Sequence, residues 1–139
     1  MNPRQIDPCI SISPQLSIVD IRRAHALGFR SIIVNRPDGE EVGQPTIAEM
    51  RQAASDAGLG FAAIPVRPGT FTGEAIAEFA EALRTLEGPV IAYCRTGVRA
   101  ASLWALSQAP ALGPDAVLGA AATIGYDLSQ LRSKLENQS

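Results

Sequence analysis

The chain holds 139 residues, 46% of them hydrophobic and 19% charged, with a formal net charge of -2. That is one domain's length with enough apolar residues for a core, so residues 1–139 read as a single domain. The weak charge gives no footprint for nucleic acid, no apolar run reaches membrane-span length, and the start MNPRQIDPC lacks a signal peptide's apolar core, so a cytoplasmic protein is expected, with no nucleic-acid or membrane partner.

RQIDPCISIS reads as two short strands turning at Asp7-Pro8, a hairpin. SIVDIRRAHALG reads as a helix: Ser17 and Asp20 form a capping box, and Gly28 closes it. RSIIVN is a β-branched apolar strand over 31–34, and RPDGEEVGQP is a loop. TIAEMRQAASDAG repeats the helix grammar, with Thr46 and Glu49 at its start and Gly58 at its end. A strand follows over 61–66, then the loop RPGTFTG. EAIAEFAEALRTLEG is an amphipathic helix with Ile76, Phe79, Ala80 and Leu83 on one face. PVIAY supplies a strand over 90–93. Helical patterns over 99–109, 115–124 and 128–137 complete the chain, separated by Pro110, Pro114 and Gly125. This alternation predicts an α/β fold with a mostly parallel sheet covered by helices. The strands at 31–34, 61–66 and 90–93 are nearly continuous apolar runs, as expected for strands buried on both faces.

Two cysteines without a CxxC pair and a lone histidine argue against a disulfide framework or a zinc site, so neither metal nor cofactor is expected. His25 falls in a helical pattern and reads as a surface or packing residue. Cys9, in the hairpin, reads as structural. Cys94 differs. In VIAYCRTGVRA, residues 90–100, it ends a strand and precedes a helix, which is where α/β sheets bind ligands. The N–H groups of residues 95–99 then converge on one spot at the positive end of the helix dipole. Such positions favour the thiolate, so Cys94 is expected as a reactive thiol at a pocket mouth. Gly97 permits a backbone conformation that other residues resist. Arg99 offers paired donors to an anion. The plainer reading is a buried structural cysteine beside a surface arginine. Strand, glycine, arginine and helix together favour a nucleophile, Cys94, facing a small oxyanion held by Arg95, Thr96, Gly97, Val98 and Arg99. Arg95 is expected to face outward and draw anions in, and Arg67 to serve likewise. Arg36 is a candidate pocket residue. Asp38 is either a substitute acid or part of an ordinary Pro-Asp-Gly turn, and the turn is favoured.

CRTGVR resembles the active-site loops of both cysteine phosphatases and rhodaneses. NPRQIDPCISISPQ, GFRSIIVNRPDGEE, AAIPVRPG and GPVIAYCRTGVRA together resemble the phosphatase-like domain of the beta-lactamase hydrolase-like family, also labelled a sulfur transferase. The resemblance continues through IGYDLSQLRSKLE. It implies a dual-specificity, protein tyrosine phosphatase-like fold with a four- or five-stranded sheet and helices on both sides. It also implies Cys94 as nucleophile, residues 95–99 as a phosphate-type loop and Arg99 as anion clamp. Family members occur alone or joined to persulfide dioxygenases and other sulfide-oxidation proteins. The implied partners are therefore a persulfide dioxygenase or a sulfide:quinone reductase.

The chain departs from the phosphatase pattern. Four residues, not five, separate Cys94 from Arg99, a rhodanese-like length. Tyr93 stands where phosphatases carry His. Val98 and Ala100 stand where family members often carry Thr and Ser. RPGTFTG has Arg67 where a general acid is usual, and no acid until Glu74. Expelling an alkoxide needs a proton donor, typically worth about 10²–10⁴-fold. Sulfane-sulfur transfer needs none, because thiolates and sulfite leave unaided. The expectation is a sulfurtransferase that forms a Cys94 persulfide from a sulfane-sulfur donor. The alternatives are a phosphatase acting through a phosphocysteine, and an anion-sensing or docking module without turnover.

Overall fold

Strand and helix alternate along the chain because each apolar run is closed by local capping or turn chemistry. The structure is a computed structural model and describes residues 1–138. Its strands are β1 (Arg4–Asp7), β2 (Ile10–Ser13), β3 (Ser31–Val34), β4 (Gly60–Ala63) and β5 (Val90–Tyr93). Its helices are α1 (Ile18–Ala24), α2 (Ile47–Asp56), α3 (Gly73–Thr85), α4 (Val98–Leu112), α5 (Pro114–Thr123) and α6 (Arg132–Gln138). Both expected capping boxes form. Ser17 Oγ accepts from Asp20 N at 3.1 Å while Asp20 accepts from Ser17 N at 2.9 Å. Thr46 and Glu49 repeat the exchange on α2. Thr72 caps α3.

The sheet order is β1-β2-β5-β3-β4, antiparallel between β1 and β2 and parallel elsewhere. Alternate residues of the central strands feed two cores. Ile32, Val34, Ile91 and Tyr93 pack with α1 and α2, whereas Ile12, Ile33, Ala92 and Cys94 pack with α3 to α6. Among the described residues, no helix is long and apolar enough to cross a membrane.

Three expectations need correction. The strand over 61–66 ends at Ala63 and lies at the sheet edge, its residues exposed or half-buried rather than covered on both faces. Its apolar run reflects burial of Ile64 and Val66 just beyond it, where Ile64 N and Val66 N still pair with Val34 O and Asn35 O. Second, α4 runs through Pro110 to Leu112. Proline there removes one hydrogen bond in the last turn, and Gly113, at φ +89°, ends the helix instead. Third, the helix over 128–137 is a 3-10 turn at Ser129–Leu131 followed by α6.

Candidate active site

Strand register brings three loops to one edge. Ser13, Tyr93 and Val34 lie level as neighbours across β2, β5 and β3. The residues that follow, Pro14, Cys94 and Asn35, therefore leave the sheet together at its carboxyl end. Cross-links hold them there: Asn35 N donates to Tyr93 O at 2.8 Å, and Gln15 N to Arg95 O at 3.1 Å.

The β5–α4 loop turns through Gly97, which sits at φ +98° as the N-cap of α4. A glycine supplies no capping side chain. Unlike α1, α2 and α3, the 15-residue α4 begins without a side-chain cap on its N-cap residue and without an acid in its first turn. Val98 N–H reaches Thr96 Oγ1 at a long 3.4 Å, and the N–H groups of Arg99 and Ala100, with the helix dipole, are left for an anion. Gly97 N donates to Cys94 Sγ at 3.1 Å. The thiol is buried, with Cys94 only 1% exposed. It sits one residue from the wall of the adjacent cavity and not, as expected, at its mouth. Cys9, expected to be structural, is exposed beyond Asp7, because the hairpin turn projects it outward.

Arg99 is also buried, and its donors can be counted. Nη1 donates to Glu40 Oε2 and to Val66 O, both at 2.9 Å, and Nη2 donates to Glu40 Oε1 at 2.8 Å. A guanidinium has five N–H groups. The two outside these contacts, on Nε and Nη2, form one parallel fork along the remaining edge, the geometry that grips two oxygens of an oxyanion. Arg36, 2% exposed, places one bond from each of its three nitrogens. It donates to Glu40 Oε1 at 2.9 Å, Gln15 Oε1 at 3.0 Å and Glu41 Oε1 at 3.1 Å. Hydrogen bonding from Arg99 holds the Glu40 carboxyl below the usual carboxylate range against its partial burial, and Arg36 adds to the effect. Burial opposes the charge of Arg36, but its bonds to Glu40 and Glu41 keep its pKa above the ordinary value.

A cavity of about 580 Å³ opens beside this array. Arg36, Arg95, Thr96, Val98 and Arg99 line it, with Phe71, Leu128 and Leu131 as an apolar wall. Arg95 is exposed on the loop, as expected. Asp38 and Arg67 are not part of the lining. Asp38 Oδ1 accepts from Ile47 N at 2.7 Å and secures the start of α2, so it serves the turn and not the site. Arg67 is exposed on the loop whose Pro68, Gly69 and Phe71 do line the cavity. Among the described residues, no three His, Cys, Asp or Glu side chains could hold a metal ion.

Four residues escaped sequence reasoning: Gln15, Glu40, Tyr126 and Asp127. Glu40 lay in a stretch that reads as a solvated turn; the available signal was two adjacent acids following Arg36. Tyr126 Oη donates to Thr96 O at 3.1 Å, and Asp127 lines the cavity. Ser129 N–H, donating to Asp127 Oδ1 at 3.0 Å, holds that carboxyl below the usual range.

The family model for the beta-lactamase hydrolase-like protein, phosphatase-like domain, matches residues 2–111. A beta-lactamase hydrolase-like protein of Agrobacterium fabrum is 37% identical over 141 residues, covering all of this chain and 33% of the relative. One from Xylella fastidiosa is 36% identical over 96% of this chain and 31% of its own length. The chain thus spans about a third of the length of these curated relatives. The crystal structure of a candidate phosphatase from Neisseria meningitidis matches with a TM-score of 0.85 at 35% identity, covering 97% of this chain and 96% of that one. PTPMT1 in complex with PI(5)P matches at TM-score 0.75 and 14% identity, covering 98% and 93%, which shows a shared phosphatase fold alone.

Proposed function

The chain belongs to the family of the phosphatase-like domain of beta-lactamase hydrolase-like proteins, and from that membership we propose that it is a cysteine-dependent phosphatase. The Cys94 thiolate attacks phosphorus, the bond to the leaving oxygen breaks, and a phosphocysteine forms. Water then attacks that phosphorus, releasing phosphate and restoring the thiolate. The free edge of Arg99, beside an uncapped helix start, is the observation that carries this reading. It suits the equatorial oxygens of a transferring phosphoryl group.

The leaving oxygen takes its proton from Asp127. Of the cavity acids, Glu40 and Glu41 are bound to arginines, whereas Asp127 bonds to Ser129, chiefly to its backbone N–H. That bond lowers its proton affinity, so it donates best at acidic pH and supports good leaving groups better than poor ones.

One observation favours a second reading, sulfur transfer: the 67–73 loop carries no acid. Cys94 would attack the outer sulfur of thiosulfate or a persulfide. The sulfur–sulfur bond breaks, and sulfite or a thiolate departs with the electron pair and needs no proton. A persulfide dioxygenase or a sulfide:quinone reductase would be the partner in that case.

Wild type and Cys94→Ser should be compared on an activated aryl phosphate, a phosphotyrosine peptide and thiosulfate. The expected result is hydrolysis of the activated ester, slower cleavage of the peptide because its phenoxide has a pKa of about 10, and loss of both in Cys94→Ser. A wild-type protein that gains the mass of one sulfur and hydrolyses neither ester would replace this reading with sulfur transfer.

A further inference from the structure

Thr96 C=O and Gly97 N–H are the two ends of one planar peptide group. Its carbonyl accepts from Tyr126 Oη at 3.1 Å, and its N–H donates to Cys94 Sγ at 3.1 Å. The phenol, the peptide and the sulfur form an unbroken hydrogen-bond chain. A donor on the carbonyl draws electron density from the amide and strengthens its N–H as a donor, and the same bond fixes the plane of the peptide. We propose that Tyr126 is a positioning residue for the Cys94 thiolate, acting through the Thr96–Gly97 peptide.

Packing supports the assignment. The Tyr126 hydroxyl occupies the space that a side chain at position 97 would fill, so glycine is required by close approach as well as by its φ of +98°. Tyr126 is itself held. Its N–H donates to Ala121 O at 2.9 Å, and Arg4 Nη1 of β1 donates to Ile124 O at 2.6 Å. Burial raises the pKa of the Tyr126 hydroxyl, and the charge of Cys94 raises it further against Arg4, so the phenol stays a donor throughout the neutral range. The other charges around the loop are Arg95 and Arg99 on the loop itself, Arg36, Glu40 and Glu41 after β3, and Asp127 next to Tyr126. Removing the phenol oxygen alters none of them.

The proposal rests on the reading of Cys94 as the nucleophile, but its test uses no turnover. In a Cys9→Ser background, Cys94 ionisation should be followed by thiolate ultraviolet absorbance against pH. Tyr126→Phe keeps the ring and should move the midpoint upward. Below the midpoint the thiolate fraction should fall about two- to tenfold, the span of one hydrogen bond's net worth. Placing a fluorinated tyrosine at 126, a stronger donor of nearly the same shape, should move the midpoint downward. Midpoints unmoved in variants that keep the wild-type melting temperature would overturn the proposal. Absence of turnover with a shifted midpoint would instead strike the phosphatase reading alone.

Discussion

The Glu40 carboxylate lies between two buried guanidiniums. Its Oε1 serves Arg36 and Arg99 together, and its Oε2 serves Arg99 again. Without that charge, Arg36 and Arg99 would face each other with only Glu41 and neutral acceptors. Glu40→Gln keeps the shape and one acceptor but removes the charge. It should cost about 1–3 kcal/mol, the size of a broken charge-assisted bond to a buried group. The pH dependence has a definite sign. The folded pKa of Glu40 lies below its ordinary value of 4.5. Its contribution is therefore fully present above that ordinary value and is lost as pH falls through the folded one. Urea unfolding midpoints across the acidic range should show a shallower acid limb for Glu40→Gln than for wild type. Identical limbs would mean that the carboxylate does not stabilise the fold. Neither this residue nor Tyr126 was legible in sequence. Glu40 meets Arg99 across 59 positions and Tyr126 meets Thr96 across 30. The first partnership depends on β3 lying beside β5 and the second on how α5 packs against α4, and no local pattern specifies either.

At the scale of elements, what was legible is what is local. The boxes at Ser17 and Thr46 are closed within four residues, so their motifs located α1 and α2 directly. The Cys94–Arg99 spacing likewise located the start of α4. The edge position of β4 was not legible, because an apolar run records burial nearby and not which strand lies beside it. The path of α4 through Pro110 was also hidden, since a proline near a helix end costs one bond while the packing of Ala109 and Leu106 is retained. The depth of that helix in the fold is set by Trp104, 1% exposed, whose Nε1 donates to Asp7 Oδ2 at 3.0 Å. Asp7 Oδ1 also accepts from Cys9 N and Ile10 N, so α4 and the hairpin are joined at one carboxylate. Trp104→Ala should cost about 3–5 kcal/mol. Trp104→Phe, which removes the indole donor and keeps most of the apolar volume, should cost clearly less. Equal losses in denaturant titrations would assign the stabilisation to the hydrogen bond and not to packing.

For the whole molecule, the oxyanion site is assembled where the parallel strands end, at the carboxyl edge of the sheet. Cys94 and Arg99 come from β5 and α4, and the array that holds Arg99 comes from the chain after β2, β3 and β4 through Gln15, Arg36, Glu40 and Val66. An anion gripped there bonds to the folded state and has no counterpart in the unfolded chain, so binding must raise stability. At a free concentration of about 100 times Kd the gain is about 2.7 kcal/mol. For a chain between the size classes where 1 kcal/mol shifts Tm by about 4–8 °C and about 2–4 °C, that is roughly 10 °C. Phosphate or vanadate should therefore raise the melting temperature of wild type. Each variant is compared with its own ligand-free baseline, so a loss of intrinsic stability does not obscure the result. Arg99→Ala should lose nearly all of the anion-induced rise, since it removes the fork. Arg95→Ala should lose a smaller part, since that side chain is exposed and contributes long-range attraction that salt screens. Cys94→Ser should retain the rise, because the anion is held by Arg99 and the amide groups and not by the sulfur. An equal rise in Arg99→Ala and wild type would move the anion to another site and remove the basis for assigning phosphoryl chemistry to this loop.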